Sequence, residues 1–545
     1  MKTKILFPDN LHFHKRGFKS LMELVEEQSY EPIFITEHNN LKALYGNYRD
    51  HKTMFLKYYD ELSDLKLEEL FEKTYFGVQI FSLAKAEILS ILMAKDNWLN
   101  TDIPCDNCWV FNKAFTEDKE TLLLNLSAVM FWLDFWKSLI KKHKSINKCI
   151  IFSGSLIYAK TLSYLLQNTP TRVFVVEHFF SGNDYYFEEK YTHIANNSDI
   201  GYRNIYNKLL RKFNENDDVT KSKERVKAIN KFLLSNNKNV TQPDRDEEDH
   251  SFETDKPTVL IIGQVINDFS IIETKLPNIN SLQVYLKLIK GLLEETDFNI
   301  IFKAHPWEKS KINIRRSLTK DMLQSYLMAT FTEADQKRVM IVEDFNLQQL
   351  LEKSDFVTAF CSQALIEAAY LGKKCCQFGK AFFGNKGFTH DFSNESELID
   401  ALKDYNISGE LTMDEYEKFM TFLTIFYQFH SVSIHESGKS MLKTKMQKHA
   451  LIPVVQDKSQ AIISPSQKIQ EKALPLKSKE SKTLIHLNEI GSAPLKKKII
   501  ENLIVRVSSE KKVEKFKSNP KKFFDDSNYL LVKLFGKIYY FFVKY

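Results

Sequence analysis

The chain is poor in cysteine: six in 545 residues, at 105, 108, 149, 361, 375 and 376. Scattered so widely, they exclude a disulfide framework and point to reduced, cytosolic usage. Cys105-Asp-Asn-Cys108 is a lone CxxC without a second pair. Structural zinc needs four ligands, so this segment reads as a loop with buried thiols and no metal is expected. A dominant charge is missing too. A formal net charge of +6 is modest for this length, and no zinc-finger or RNA-recognition signature is present, so nucleic acid is not an expected partner. The apolar part of the opening residues, Met1 to Pro8, is too short for a signal peptide. The best candidate for a membrane span, Leu122 to Ile140, is broken by Asn125, Ser127, Asp134, Lys137 and Ser138, which favours a buried or amphipathic helix. Walker A, GxSxG and HExxH motifs are absent, which leaves NTPase, α/β-hydrolase and zincin readings unsupported. There is no internal repeat.

What is present is a stretch from Thr258 to Asp391 in which four short apolar runs each end in small or polar residues. Thr258 to Ile262 leads into Gly263-Gln264 and on to Asp268. Asn299 to Phe302 leads into Lys303-Ala304-His305-Pro306, Asp355 to Phe360 into Cys361-Ser362, and Lys374 to Phe378 into Gly379-Lys380. Short β-rich runs alternating with helix-length segments predict a parallel sheet of βαβ units. Such sheets bind ligands beyond the carboxyl ends of their strands, so Asp268, His305, Ser362 and Lys380 are expected on one rim.

The fold class expected is α/β, with two Rossmann-like domains. Residues 1–235 form the first, with strands at Lys4 to Phe7, Pro32 to Thr36, Cys149 to Phe152 and Arg172 to Val176. Its helices are expected at Phe55 to Phe71, Gly77 to Met93 and Leu122 to Lys141. The polar, acidic stretch 236–255 reads as a solvated linker, and within it Asp244-Arg-Asp246 lacks the apolar neighbours expected of a metal-binding DxD. The second domain spans 256–432. A flexible tether, 433–510, and a basic aromatic tail, 511–545, follow. Lysines recurring among Leu, Phe and Tyr suit that tail to an anionic membrane surface, the alternative being a helix docked on the body.

Each candidate residue has a structural and a functional reading. His305 can donate to a phosphate or merely close a turn. Ser362 can cap a helix or help that helix start receive a phosphate. Glu367, further along the helix, faces solvent or holds ribose hydroxyls. Asp268 is a turn residue, or a nucleophile for an oxocarbenium-like centre. Glu177, after the strand ending at Val176, is a cap or salt-bridge residue, or activates an acceptor hydroxyl. Ser153-Gly154-Ser155 fits a helix start or a sugar contact.

The motifs resemble those of bacterial capsule polysaccharide biosynthesis proteins. Gly263-Gln264-Val265-x-x-Asp268-x-Ser270 is similar to their GQVxxDxS signature, and Lys303-x-His305-Pro306 to KPHP, with Ala304 replacing the first proline. Ser362 through Glu367-Ala368 to Leu371-Gly372-Lys373 resembles SxxGFEALxxGK, and Phe378 through Thr389 to Asp391 resembles the FGxPFYxxxGLTxD block. Glu177-His178-Phe179 is a looser counterpart of EDGF. The family includes retaining β-Kdo transferases of capsule and lipopolysaccharide assembly. The resemblance implies a GT-B-related glycosyltransferase, CMP-Kdo as donor, a saccharide or glycolipid acceptor, no cofactor or metal, and a cytoplasmic enzyme peripheral on the inner membrane. It implies Asp268 as nucleophile and Glu177 on the acceptor side. His305 and Ser362 would hold the CMP phosphate, Glu367 the ribose, and Lys380 would neutralise substrate charge, with Gln264 and Lys303 also in the donor site. Transfer or epimerisation of another nucleotide sugar, and a non-catalytic glycan-assembly scaffold, are the competing readings.

Overall fold

The computed structural model describes residues 2–143, 145–179, 181–234, 243–244, 252, 256–404 and 407–447. The described residues form one compact unit, in which lie two six-stranded sheets. The first holds β1 (Lys4–Phe7), β2 (Glu31–Phe34), β3 (Lys148–Phe152), β4 (Arg172–His178) and β5 (Asp184–Glu189). The second holds β6 (Thr258–Ile262), β7 (Asn299–Lys303), β8 (Val339–Val342), β9 (Phe356–Ala359), β10 (Cys375–Gln377) and β11 (Thr389–Asp391). A last strand, β12 (Val432–Ser433), returns to the first sheet beside β5.

The second sheet is parallel throughout, in the order β8-β7-β6-β9-β10-β11. Counted within that half this is 3-2-1-4-5-6, the dinucleotide-fold order, and the direction of winding reverses between β6 and β9. All five residues of β6 and of β7 are buried, as expected of central strands covered on both faces. The first sheet runs β12-β5-β4-β3-β1-β2, with β1 to β4 parallel and β5 and β12 antiparallel at one edge. Its reversal lies between β1 and β3. Both halves are Rossmann-like, as the alternation of apolar runs predicts.

The helix Lys119–Lys142 is the one element among the described residues long and apolar enough to cross a membrane, and 67% of its apolar window is buried inside the protein. Asp118 caps it by accepting the Thr121 N–H at 3.1 Å, and Lys141 and Lys142 close its last turn, favourable against the helix dipole. It is a core helix. The halves meet along a polar seam. Asn280 caps the helix Ser281–Glu295 and donates to the carbonyls of Trp98, Leu99 and Thr101 at 2.8–3.0 Å. Lys160 meets Glu273 at 2.7 Å. The Cys105 thiol donates to the Thr274 carbonyl, so half of the CxxC serves this seam.

Several expectations need correction. The tether does not begin at 433: β12 and the helix Ser437–Gln447 belong to the first half, where Leu442 and Met446 join a core with Ile5, Phe7 and Leu21. Lys439 links that helix to Glu23, and the Ser20 hydroxyl donates to the Ser433 carbonyl at 2.6 Å. The helix expected over Phe55 to Phe71 is broken, because the Glu69 carboxylate takes the Lys66 N–H at 2.9 Å and starts a new helix, Leu67–Glu72. Residues 448–510 of the tether and the tail 511–545 lie outside the described residues, as does Asp246 of the acidic pair.

Candidate active site

The reversal point of the second sheet is framed by the loops after β6 and β9, and one side chain ties them together. Gln264, 7% exposed, donates through Nε2 to the Ser270 hydroxyl at 2.7 Å and accepts the Cys361 N–H on Oε1 at 3.2 Å. Both ends of the amide are thus engaged by protein, and Gln264 positions the loops of Asp268 and Ser362. Its neighbour Gly263 could carry no side chain, since a Cβ there would come within 2.8 Å of the Lys303 carbonyl and 2.9 Å of the Phe302 ring.

Asp268 stands at the start of the short helix Phe269–Ile272 and accepts the Ser270 N–H at 2.8 Å. The turn role is therefore real, and one carboxylate oxygen remains for other work. His305 follows β7. Its Nδ1 accepts the Trp307 N–H at 3.2 Å, which places the ring proton on Nε2. Burial pushes the imidazole down to about 4; Asp268 pulls the other way, while Lys303 and Lys311 push it down further. The ring is neutral at pH 7, and the charge of Asp268, carried on the loop after β6, acts on it from the loop after β7. Lys303 is buried and donates to the Glu343 carbonyl at 2.9 Å, tying β7 to the loop after β8.

Ser362 lies one residue further from its helix than expected. The helix is Ala364–Tyr370 with Gln363 as cap, and the Ser362 hydroxyl accepts the Ala364 N–H at 3.3 Å. The carboxylate of Glu367, on the same helix, has no hydrogen-bond partner or cation among the described residues, and burial pushes it up to about 7. It does not face open solvent. Lys380 is exposed, in a left-handed conformation with φ 52°. The preceding Gly379 brings its loop against the loop of Ser362: its N–H donates to the Phe360 carbonyl, and a Cβ there would strike Phe360 and Cys361 at 2.5–2.6 Å.

Glu177 is not in a loop after its strand. The antiparallel β5 prolongs β4 to His178 and sets Glu177 opposite Tyr186. It still reaches the seam. The Tyr45 hydroxyl, raised first by burial, also feels Glu177, Glu87 and Asp9, and the Tyr45 ring lies 6.3 Å from that of Phe269, the residue after Asp268. Lys311 sits 5.7 Å over the Tyr45 ring from the opposite half. Tyr45, Lys311, Asp9 and His12 escaped the sequence reading. Asp9-x-x-His12, two residues after β1, was the available signal. Ser153-Gly154-Ser155 does not start the next helix either, which is Ile157–Leu166 with Leu156 as cap.

A cavity of about 300 Å³ lies beside Tyr45, lined by the Gly46–Arg49 loop and by Ile312 and Asn313. Its cations are already engaged, Arg49 by Glu120 and Lys95 by Asp118, so it offers no free charge to a phosphate. No cluster of three or more metal-binding side chains occurs among the described residues.

Residues 197–413 match the capsule polysaccharide biosynthesis protein family. The matched segment contains the four motifs from Gly263 to Asp391 and leaves out Glu177. Among solved structures the chain is similar to KpsC, a β-Kdo 2,7 transferase from Thermosulfurimonas dismutans, at 16% identity and TM-score 0.32, covering 57% of this chain and 89% of that one. It is also similar to the N-terminal domain of Candida albicans trehalose-6-phosphate phosphatase (10%, TM-score 0.33, 82% and 97% covered). A third is UDP-GlcNAc 2-epimerase from Neisseria meningitidis (11%, TM-score 0.26, 82% and 100%). No curated protein matches. The two Rossmann-like sheets are carried by the strand order itself.

Proposed function

We propose that the chain is a glycosyltransferase of surface-polysaccharide assembly that moves Kdo from CMP-Kdo to a saccharide or glycolipid acceptor. The observation that carries this reading is the reversal point of the second sheet. It is flanked by Asp268 and Ser362, with a neutral His305 presenting Nε2–H within the field of Asp268. The motif resemblance, which lies inside the family match, supplies the donor.

In this reading His305 Nε2–H and the Ser362 hydroxyl donate to the CMP phosphate, and Lys380 and Lys311 balance its charge. Glu367 accepts from the ribose hydroxyls. Its partnerless, half-buried carboxylate gains most from such donors. The nucleotide phosphate leaves as an anion, so its departure needs no proton. Asp268 attacks the anomeric carbon from the opposite face, giving a glycosyl–Asp268 ester that the acceptor then displaces with overall retention. Gln264 and Lys303 hold the loops in place, and Glu177 serves the acceptor side. No cofactor or metal is called for.

Intact-mass measurement after incubation with CMP-Kdo tests the reading: one Kdo residue should be added to the wild type and none to Asp268→Ala. CMP should raise the melting temperature more than UDP does. No adduct together with no preference for CMP would overturn it. The tail 511–545 is proposed to hold the enzyme on the inner face of the membrane. Its deletion should release the protein from sedimented membranes, and unchanged sedimentation would refute that role.

A further inference from the structure

The site described so far activates the donor. Transfer also needs the acceptor hydroxyl to lose a proton, and the first half carries a group built to take one. β1 ends at Phe7, beside the point where the first sheet reverses its winding. Asp9, fully buried, receives both the backbone N–H of His12 at 2.9 Å and its Nδ1 at 3.1 Å, and its second oxygen accepts the Tyr158 hydroxyl at 2.7 Å. Burial opposes the charge on Asp9, but His12 and Tyr158 more than compensate, and its carboxyl stays below the usual carboxylate range. An ionised carboxylate only accepts. The proton of a neutral His12 ring therefore sits on Nδ1, and Nε2 carries a lone pair. The ring is held flat on Phe152, centroids 4.5 Å apart at an interplanar angle of 2°, and Nε2 has no partner among the described residues.

His305 is wired the opposite way, with Nδ1 accepting and Nε2 donating. One half thus offers a donor and the other an acceptor. Tyr45 lies in the region between them: its hydroxyl feels the charge of Asp9, and its ring centroid is 6.3 Å from that of Phe269. In the same loop region Ser155 is fully buried and its hydroxyl has no partner among the described residues.

We propose that the Asp9–His12 pair is the general base that deprotonates the acceptor hydroxyl, with His12 Nε2 as the proton-accepting atom and Asp9 as the residue that orients it. This rests on the transferase reading above. In the step, the acceptor oxygen bonds to the anomeric carbon as the bond from that carbon to the Asp268 oxygen breaks, its electron pair returning to the carboxylate. The hydroxyl proton passes to His12 Nε2 and from there to solvent. Glu177, whose carboxylate accepts the His178 N–H at 3.0 Å, is left to orient the acceptor.

The test uses the full chain with CMP-Kdo and water as the simplest hydroxyl acceptor. The burst of released CMP reports formation of the adduct, and intact mass follows its lifetime. His12→Gln should give the wild-type burst per folded molecule and an adduct that persists roughly 100-fold longer, in line with the contribution of a positioned base. Asp9→Asn, which still accepts the His12 N–H but no longer fixes the ring proton, should lengthen the lifetime by a smaller factor. Because lifetimes are read on adduct-bearing molecules alone, a partly misfolded variant still gives a valid answer. Equal lifetimes in wild type and His12→Gln would overturn the base. A wild type that releases no CMP would overturn the transferase reading itself, and the pair's role with it.

Discussion

Gln264→Ala separates two roles for a residue that the sequence alone places in the donor site. In the structure its amide closes a bridge between the Ser270 hydroxyl and the Cys361 N–H. Truncation leaves that buried N–H without an acceptor, at about 1–3 kcal/mol, and forfeits one further hydrogen bond worth about 1 kcal/mol. Ser270 is half-buried and can turn to water. The expected loss is therefore roughly 2–4 kcal/mol, seen as a lower unfolding temperature. Calorimetry should show it, alongside slower formation of the Asp268 adduct as the two loops lose their spacing. Gln264→Glu keeps an acceptor for Cys361 and can receive the Ser270 hydroxyl, so it should recover much of the stability. If Gln264→Ala melts with the wild type and loses only affinity for CMP, the bridge is unimportant and the side chain touches the nucleotide.

Further outcomes follow from other groups. His305 has its proton affinity lowered to about 4, so between the ordinary imidazole value and that point the unfolded chain binds more protons. Stability should fall as pH drops from about 6.5 to 4, and a melting series should show a flatter fall in His305→Asn. Glu367 is raised to about 7, the opposite sign, so the folded state loses stability as pH climbs from about 4.5 through 7. Glu367→Gln should melt higher than wild type at pH 8 yet bind CMP more weakly by titration calorimetry; unchanged melting at pH 8 would contradict the burial argument. Glu188, fully buried, faces Lys190 at 2.7 Å and His430 at 3.0 Å and is held well below the carboxylate range. Glu188→Ala should cost about 3–5 kcal/mol, seen as a lower melting temperature, because it strands two buried cations or donors.

Much of the second half was legible from its residues. Runs such as Thr258 to Ile262 are apolar on both faces, which only a covered parallel strand explains, and each is followed at once by the polar residues that reach the rim. Motif order then singled out Asp268, His305 and Ser362, whose loops follow β6, β7 and β9. Long-range pairing was not legible. Nothing local in Asp184–Glu189, whose sequence is DYYFEE, marks a fully packed strand; its burial comes from β4 and β12 on either side. For the same reason the residues around Glu177 read as a loop in the sequence, whereas pairing with β5 makes them strand. Val432–Ser433 is too short to show any period, and the Lys- and Ser-rich text after it hides the apolar face of Ser437–Gln447. The roles of Gln264 and Lys303 depended on partners about 97 and 40 residues away, Cys361 and Glu343, which no spacing reveals.

The way the chain closes on itself bears on how it is made. When the ribosome has passed the acidic segment, the first sheet has an open edge at Asp184–Glu189, and the strand that covers it is roughly 180 residues from synthesis. The early half must wait, with an unpaired backbone ladder, until the later half has formed and delivered its closing piece. Cutting the gene between the halves would yield two polypeptides of which the first lacks its own final strand, so co-expression of 1–235 with 256–447 is the arrangement that supplies every part of both sheets.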